Sequence, residues 1–283
     1  MSKLSRTSAS IAQEISTTSV PEDSLAFWSL GQSGIVLKGK GNDGYVCIDP
    51  YLSYSIEKND PETEFKRAFP PVMEPEDLSG INGVLVTHAH DDHLDLTTLD
   101  EIGRVSDKTK FAIPSPAVSM LGQICVSQDK IIPVKNETAF QIKGFKIEPI
   151  AVAHVQYEIV GKDSQYIGYC IEVNGVKIFH SGDTVVTTAL VEKIADFAPD
   201  IVFLPINGAD YFRTARGIAG NMSFREAVDF SKKVNADMLI PVHYDMFPNN
   251  RENPAYFVDY LFQSSPTQKF HMMTPGERFT YFK

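Results

Sequence analysis

At 283 residues, 43% hydrophobic and 22% charged, the chain has the make-up of an ordinary folded protein, which excludes the disordered and collagen-like classes. Its 26 basic and 36 acidic side chains leave a net charge of -10, which repels a phosphate backbone and excludes non-specific nucleic-acid binding through a broad basic face. No apolar run approaches the ~18 residues that would span a bilayer, and three widely spaced cysteines, Cys47, Cys125 and Cys170, suggest neither a disulfide framework nor a thiolate metal site. A cytoplasmic protein without a membrane or nucleic-acid partner is expected.

Residues 1–24 are Ser/Thr-rich and mixed in charge, with no hydrophobic stretch of signal-peptide length, and read as a flexible arm or the contact of a homo-oligomer. Short strands then follow over 25–30, 34–38 and 45–48, each bounded by Gly, Asn or Ser turn signals. Residues 53–76 are charged and proline-studded, which predicts a long loop able to rim a site. A buried strand over 84–87 leads into a histidine cluster and a helix over 94–102. Beyond it the pattern predicts a helix over 117–124 and strands over 130–134, 139–142 and 146–153. Strands over 166–173 and 176–180 flank Asn174-Gly175, a pair favoured in two-residue hairpin turns because both residues tolerate positive φ. The remainder alternates helix (186–197), strand (201–206), helix (224–234), strand (238–242) and helix (254–263), with Ser223 and Glu226 fitting a capping box. Cys47 and Cys170 lie in apolar strand-like runs and read as core. Two strand-rich halves with interspersed helices predict an α/β protein, a four-layer αββα sandwich forming one domain over 25–283.

The chemistry concentrates in Thr87-His88-Ala89-His90-Asp91-Asp92-His93, where three of only seven histidines fall within six positions at a strand's carboxyl end. A polar turn with coincidental histidines is the plain alternative. Imidazole nitrogen and carboxylate oxygen suit zinc, manganese or iron, and the missing thiolate argues against a structural zinc site. One cluster cannot complete two metal shells. His154, Asp183 and His243 each follow a predicted strand; any one alone reads as a satisfied structural residue, whereas the set suggests side chains aimed at a common point.

These residues resemble the metallo-β-lactamase superfamily, whose pattern is HxHxDH followed by a lone His, a lone Asp and a final His. The stretches Leu30-Gly31-Gln32-Ser33-Gly34-Ile35, Leu204-Pro205-Ile206-Asn207-Gly208, Arg216-Gly217-Ile218, Asn221-Met222-Ser223 and Ile240-Pro241-Val242-His243-Tyr244-Asp245-Met246-Phe247 look like its L-ascorbate-6-phosphate lactonase branch. The chain departs from that branch at His154, where the branch carries a carboxylate. The resemblance covers about residues 25–283. It implies that His88, His90 and His154 hold one divalent ion, that Asp92, His93 and His243 hold another, and that Asp183 bridges them. It also implies that Asp49 hydrogen-bonds a ligand, although a plain turn aspartate before Pro50 fits the sequence equally well.

Paired ions would acidify water from a pKa of roughly 15.7 to about 7 and make hydroxide available at neutral pH. The implied reaction is opening of a phosphorylated sugar-acid lactone such as L-ascorbate 6-phosphate, with Asp92 or Asp183 moving the proton. Asn207, Asp210, Arg213 and Arg216 follow the strand over 201–206, and the arginines could receive the phosphate or carboxylate of a small anionic substrate; solvated surface arginines are the default reading. Tyr244, beside His243, lines the pocket or packs beneath it. A phosphodiesterase on the same ions, a metal-binding module without catalysis and a redox di-iron site remain as alternatives. His180 and His271 fall outside the pattern and read as structural.

Overall fold

Many of the chain's strands are apolar along both faces and must be covered on two sides, and how they are covered sets the architecture. The computed structural model describes residues 8–283. In its first half lie α1 (Ser8–Thr17), β1 (Ser24–Gly31), β2 (Gly34–Lys38), β3 (Tyr45–Ile48), α2 (Ser55–Asn59), β4 (Gly83–Leu85), α3 (Leu96–Val105), β5 (Lys110–Pro114) and β6 (Ile131–Val134). There follow β7 (Phe140–Ile142), β8 (Phe145–Ala151), β9 (Ile159–Val160), β10 (Asp163–Ser164), β11 (Ile167–Val173), β12 (Val176–His180), α4 (Thr188–Phe197) and β13 (Ile201–Pro205). The chain continues through α5 (Tyr211–Ala215), α6 (Phe224–Lys233), β14 (Met238–Val242), α7 (Pro254–Ser264), β15 (Lys269–Phe270) and β16 (Arg278–Phe282).

Two seven-stranded sheets result, ordered β16-β1-β2-β3-β4-β5-β6 and β15-β14-β13-β12-β11-β8-β7. Each is antiparallel on one side and parallel on the other: β3 to β6 run parallel in the first sheet, β12 to β15 in the second. The period of two along a strand divides the side chains. Leu25 and Phe27 of β1 enter the layer between the sheets, while Ala26 and Trp28 face outward. Between the sheets Phe27 meets Phe203 edge-on at 5.3 Å, a geometry worth about 0.5–1.5 kcal/mol beyond area burial. The outer face of the first sheet is covered by Ile11 and Ile15 of α1 and by Leu99 and Ile102 of α3. Leu190, Ile194, Val228, Phe230, Phe257 and Leu261, from α4, α6 and α7, cover the second. The layers are helix, sheet, sheet, helix, the αββα sandwich that the pattern predicts.

Local signals explain several boundaries. Asn174 and Gly175 both have positive φ, 49° and 77°, as the predicted β11–β12 hairpin turn requires. The Ser223–Glu226 capping box forms reciprocally at the start of α6.

The structure corrects other expectations. The flexible arm over residues 1–24 fails in its described part, for residues 8–17 are helical; residues 1–7 lie outside the described residues. Ile11 and Ile15, one helical turn apart, are 3% and 2% exposed, and Glu14 accepts a hydrogen bond from Trp28 Nε1 at 3.0 Å. An i,i+4 apolar pair inside a Ser/Thr-rich stretch is enough to dock a helix. The expected helix over 117–124 is a 3-10 segment, Ser115–Gln123, where Pro114 and Pro116 remove backbone donors. β16, which pairs antiparallel with β1, was not anticipated. No described helix is long and apolar enough to cross a membrane.

Candidate metal centre

The carboxyl ends of strands from both sheets converge on one cleft, the place where open α/β sheets receive ligands. Asp49 follows β3, the segment from Thr87 to His93 follows β4, His154 follows β8, Asp183 follows β12 and His243 follows β14. Beneath them the buried Tyr169 hydroxyl of the second sheet donates to the Val86 carbonyl of the first at 2.6 Å, pinning the two sheets together before the histidine cluster. Gly182 has φ +57° and brings its backbone against Thr87, where a Cβ would lie 2.8 Å from Thr87 Cβ. Only glycine meets both conditions without displacement.

Three potential ligand groups result, each with ligand atoms within 4.8 Å of one another: His88, His90 and His154; Asp92, His93 and His243; and His88, His93 and Asp183. Asp183 lies between the first two. Its Oδ1 is 3.4 Å from His93 Nε2, and its Oδ2 is 3.1 Å from His243 Nε2 and 3.9 Å from His154 Nε2. The structure therefore brings together all seven side chains expected to hold ions.

A further set of side chains fixes their orientation. Asp49, fully buried, accepts from the Thr87 backbone N–H at 2.8 Å, the Thr87 hydroxyl at 2.7 Å and His93 Nδ1 at 2.8 Å. Because the Thr87 proton is directed to Asp49, the hydroxyl oxygen is left to accept from His88 Nδ1, 3.0 Å away. One carboxylate thus turns Nε2 of both His88 and His93 toward the cleft, the arrangement that orients imidazole ligands. Asn221 Nδ2 donates to Asp183 Oδ2 at 2.9 Å, and Gln32 Nε2 donates to Asp92 Oδ2 at 2.7 Å while lying 3.0 Å from His243 Nε2. Gln32 and His243 both have left-handed backbones, φ 55° and 57°, and the His243 N–H donates to the Gln32 carbonyl at 2.9 Å. Strain of that kind persists only where the surroundings impose it.

Electrostatics separate the two groups. Burial drives His88 well below the ordinary histidine value and lowers His154 to about 4, so both are neutral near pH 7. Burial opposes the charge of His243 as well, but the Asp183 and Asp92 carboxylates overcome it and raise His243 to about 9. For Asp92 and Asp183 burial again works against ionisation, and attraction to His93 and His243 holds both below the usual carboxylate range. The donor set fits divalent cations. His93 Nε2 and Asp183 Oδ1 are buried, point into the cluster and have no hydrogen-bond partner, and all seven donors are imidazole nitrogen or carboxylate oxygen, as zinc, manganese and iron accept.

The cleft over this cluster has a volume of about 400 Å³, in the range of small-molecule sites. His90, Asp92, His154, Asp183 and His243 line it, with Ile56, Phe65, Ile218 and Phe247. None of the residues expected to contact substrate is among those lining it. Asn207 is buried beneath, donating to Asn250 Oδ1 at 3.1 Å and accepting from Asn221 at 3.2 Å, so it supports the neighbours of Asp183. Asp210 caps α5 and pairs with Arg213, whose guanidinium also donates to Asn250 and the Arg251 carbonyl. Arg216 is engaged by Glu64. Tyr244 turns to the Met273 carbonyl and lines a separate surface groove with Phe262 and Met272. His180 behaves as a structural residue, 3.0 Å from the Ser33 carbonyl and accepting from Gly182 N–H at 3.2 Å. His271 pairs with Glu277.

The sequence reading missed Gln32, Asn221 and the apolar wall. Gln32 lies in the stretch 30–35 and Asn221 in 221–223, but an amide carries no chemical signal of its own.

A family model described as a beta-lactamase superfamily domain matches residues 45–244. A probable L-ascorbate-6-phosphate lactonase, UlaG, of Escherichia coli O127:H6 is 23% identical over 276 residues, covering 86% of this chain and 75% of the relative. Among solved structures, a metallo hydrolase from Ignicoccus hospitalis superposes with a TM-score of 0.64 at 22% identity, covering 92% of this chain and 100% of that one. The metallo-beta-lactamase fold protein YhfI of Bacillus subtilis gives 0.65 at 15% identity, with 92% and 100% coverage.

Proposed function

The chain belongs to the beta-lactamase superfamily, and on that premise we propose that it is a metal-dependent hydrolase that opens a lactone. The observation that carries this reading is the pair of ligand groups, His88/His90/His154 and Asp92/His93/His243, with Asp183 between them. Two divalent cations, zinc or manganese with iron as the third choice, would supply Lewis acidity and a water with a pKa of about 7. The residues supply orientation and proton movement. Asp49 and Thr87 fix the rings of His88 and His93, while Asn221 fixes the carboxylate of Asp183. Asp92, whose side chain is 15% exposed against 4% for Asp183, is the more accessible of the two carboxylates among the expected ligands. It takes the proton of the attacking water and delivers it to the leaving ring oxygen. The finer reading, a phosphorylated sugar-acid lactone such as L-ascorbate 6-phosphate, draws on the 23% identical relatives and on no arginine of this cleft.

Asp92→Asn keeps a ligand oxygen but loses the base. With metal content verified as unchanged, kcat on a hydrolysed lactone should fall about 10²- to 10⁴-fold with KM little altered. Near-normal kcat in the fully loaded variant rejects the assignment.

A further inference from the structure

One wall of the cleft is apolar and built as a unit. Phe65 packs edge-on against Phe247 with ring centroids 5.4 Å apart, and Ile56 joins them over the buried Tyr51 and Met246. Ile218 adds another apolar contribution to the lining. Among the described residues lining the cleft there is no Lys or Arg, and the ionisable ones beyond the expected ligands are the carboxylates Asp60 and Asp91.

The neighbouring cations are turned elsewhere. Arg67 lies behind the wall, stacked on the Tyr51 ring at 4.6 Å and donating to the Tyr51, Ser53 and Phe69 carbonyls, so it holds the 51–69 loop in place. Arg213 is held by Asp210, Asn250 and the Arg251 carbonyl, and Arg216 by Glu64. An anionic tail on a substrate would meet hydrocarbon and carboxylates, where desolvation goes uncompensated. An alkyl tail would gain by burial.

Resting on the hydrolase reading above, we propose that the substrate is an uncharged lactone bearing a short apolar substituent, which lies on Ile56, Phe65, Ile218 and Phe247 while its carbonyl reaches the His/Asp cluster. One water adds across the acyl C–O bond. Its oxygen joins the acyl carbon, the ring oxygen leaves and takes the proton carried by Asp92, and the product is a hydroxy acid.

The test uses the full chain loaded with zinc or manganese and γ-lactones whose side chains lengthen one methylene at a time, beside the same chains ending in a carboxylate. Each is read by kcat/KM and by saturation-transfer NMR binding. The expected kcat/KM rises about threefold per methylene until the wall is covered, and falls when the chain ends in a carboxylate. In Phe65→Lys, with folding checked by its melting curve, the slope flattens and the carboxylate-ended chains gain. A flat series, a preference for the charged chains in the unaltered protein, or no binding at all overturns the proposal. Alkyl lactones that bind in the expected order without turnover support the cleft assignment and overturn the hydrolase reading. Lactones hydrolysed without discrimination do the reverse.

Discussion

Asp49 governs more of the centre than any other side chain that does not itself face the cleft. Through one hydrogen bond to His93 and another relayed by Thr87 it sets the rings of residues in both ligand groups. Asp49→Ala should therefore weaken both ions, by roughly 10- to 100-fold each, in titrations followed by calorimetry. Gln32→Ala, by contrast, should weaken only the ion held by Asp92, His93 and His243, because its amide reaches Asp92 and His243 alone. Equal losses at both ions in the Gln32 variant would show that its contact is incidental. The ligands themselves could be read from the chain because His and Asp at strand ends announce their chemistry. Gln32 could not, since its importance lies in a left-handed backbone and a reach across sixty residues to Asp92, both visible only after folding. For the opposite reason, the substrate role weighed for Arg213 and Arg216 against a default of solvated surface arginines finds no support. Their charge was plain, but Asp210, Asn250 and Glu64 had already claimed it.

Elements were legible where periodicity and capping agreed. β12 and β14 coincide with their predicted ranges because the Asn174-Gly175 turn marks the start of the one and the other is a short buried apolar run, and α6 starts where its capping box places it. Ser223→Ala should cost about 1 kcal/mol of stability in chemical denaturation. Elements marked by only a few residues were missed. α1 rests on Ile11 and Ile15 within a polar stretch, and β16, at an edge of its sheet, buries only Tyr281 fully and shows no period of two. Ile15→Ala should destabilise the protein by about 2–5 kcal/mol, the usual range for truncating a buried aliphatic side chain. A change below about 0.5 kcal/mol would mean that α1 adds no stability to the first sheet.

For the molecule as a whole, the sandwich was readable from two strand-rich halves with interspersed helices, and a common target from His154, Asp183 and His243 at strand ends; the strand pairing that produces the meeting was not. That meeting depends on parallel runs in each sheet placing β3, β4, β12 and β14 with their carboxyl ends on one rim. Cations that bind only the folded state would stabilise it, by about 2.7 kcal/mol when free ion stands at 100 times Kd. Chelation should accordingly lower Tm, and readdition of zinc or manganese should restore it; an unchanged Tm would argue that the cluster is held together without ions. Each expected ligand triad also mixes the two halves of the chain, His88 and His90 with His154, Asp92 and His93 with His243. A loaded centre would therefore act as a rivet. A chain nicked at the exposed β9–β10 hairpin would keep His88, His90 and His154 on one piece, so the ion of Asp92, His93 and His243, with Asp183, would be the one to join the two pieces, while both ions would guard the molecule against coming apart at the seam between its sheets.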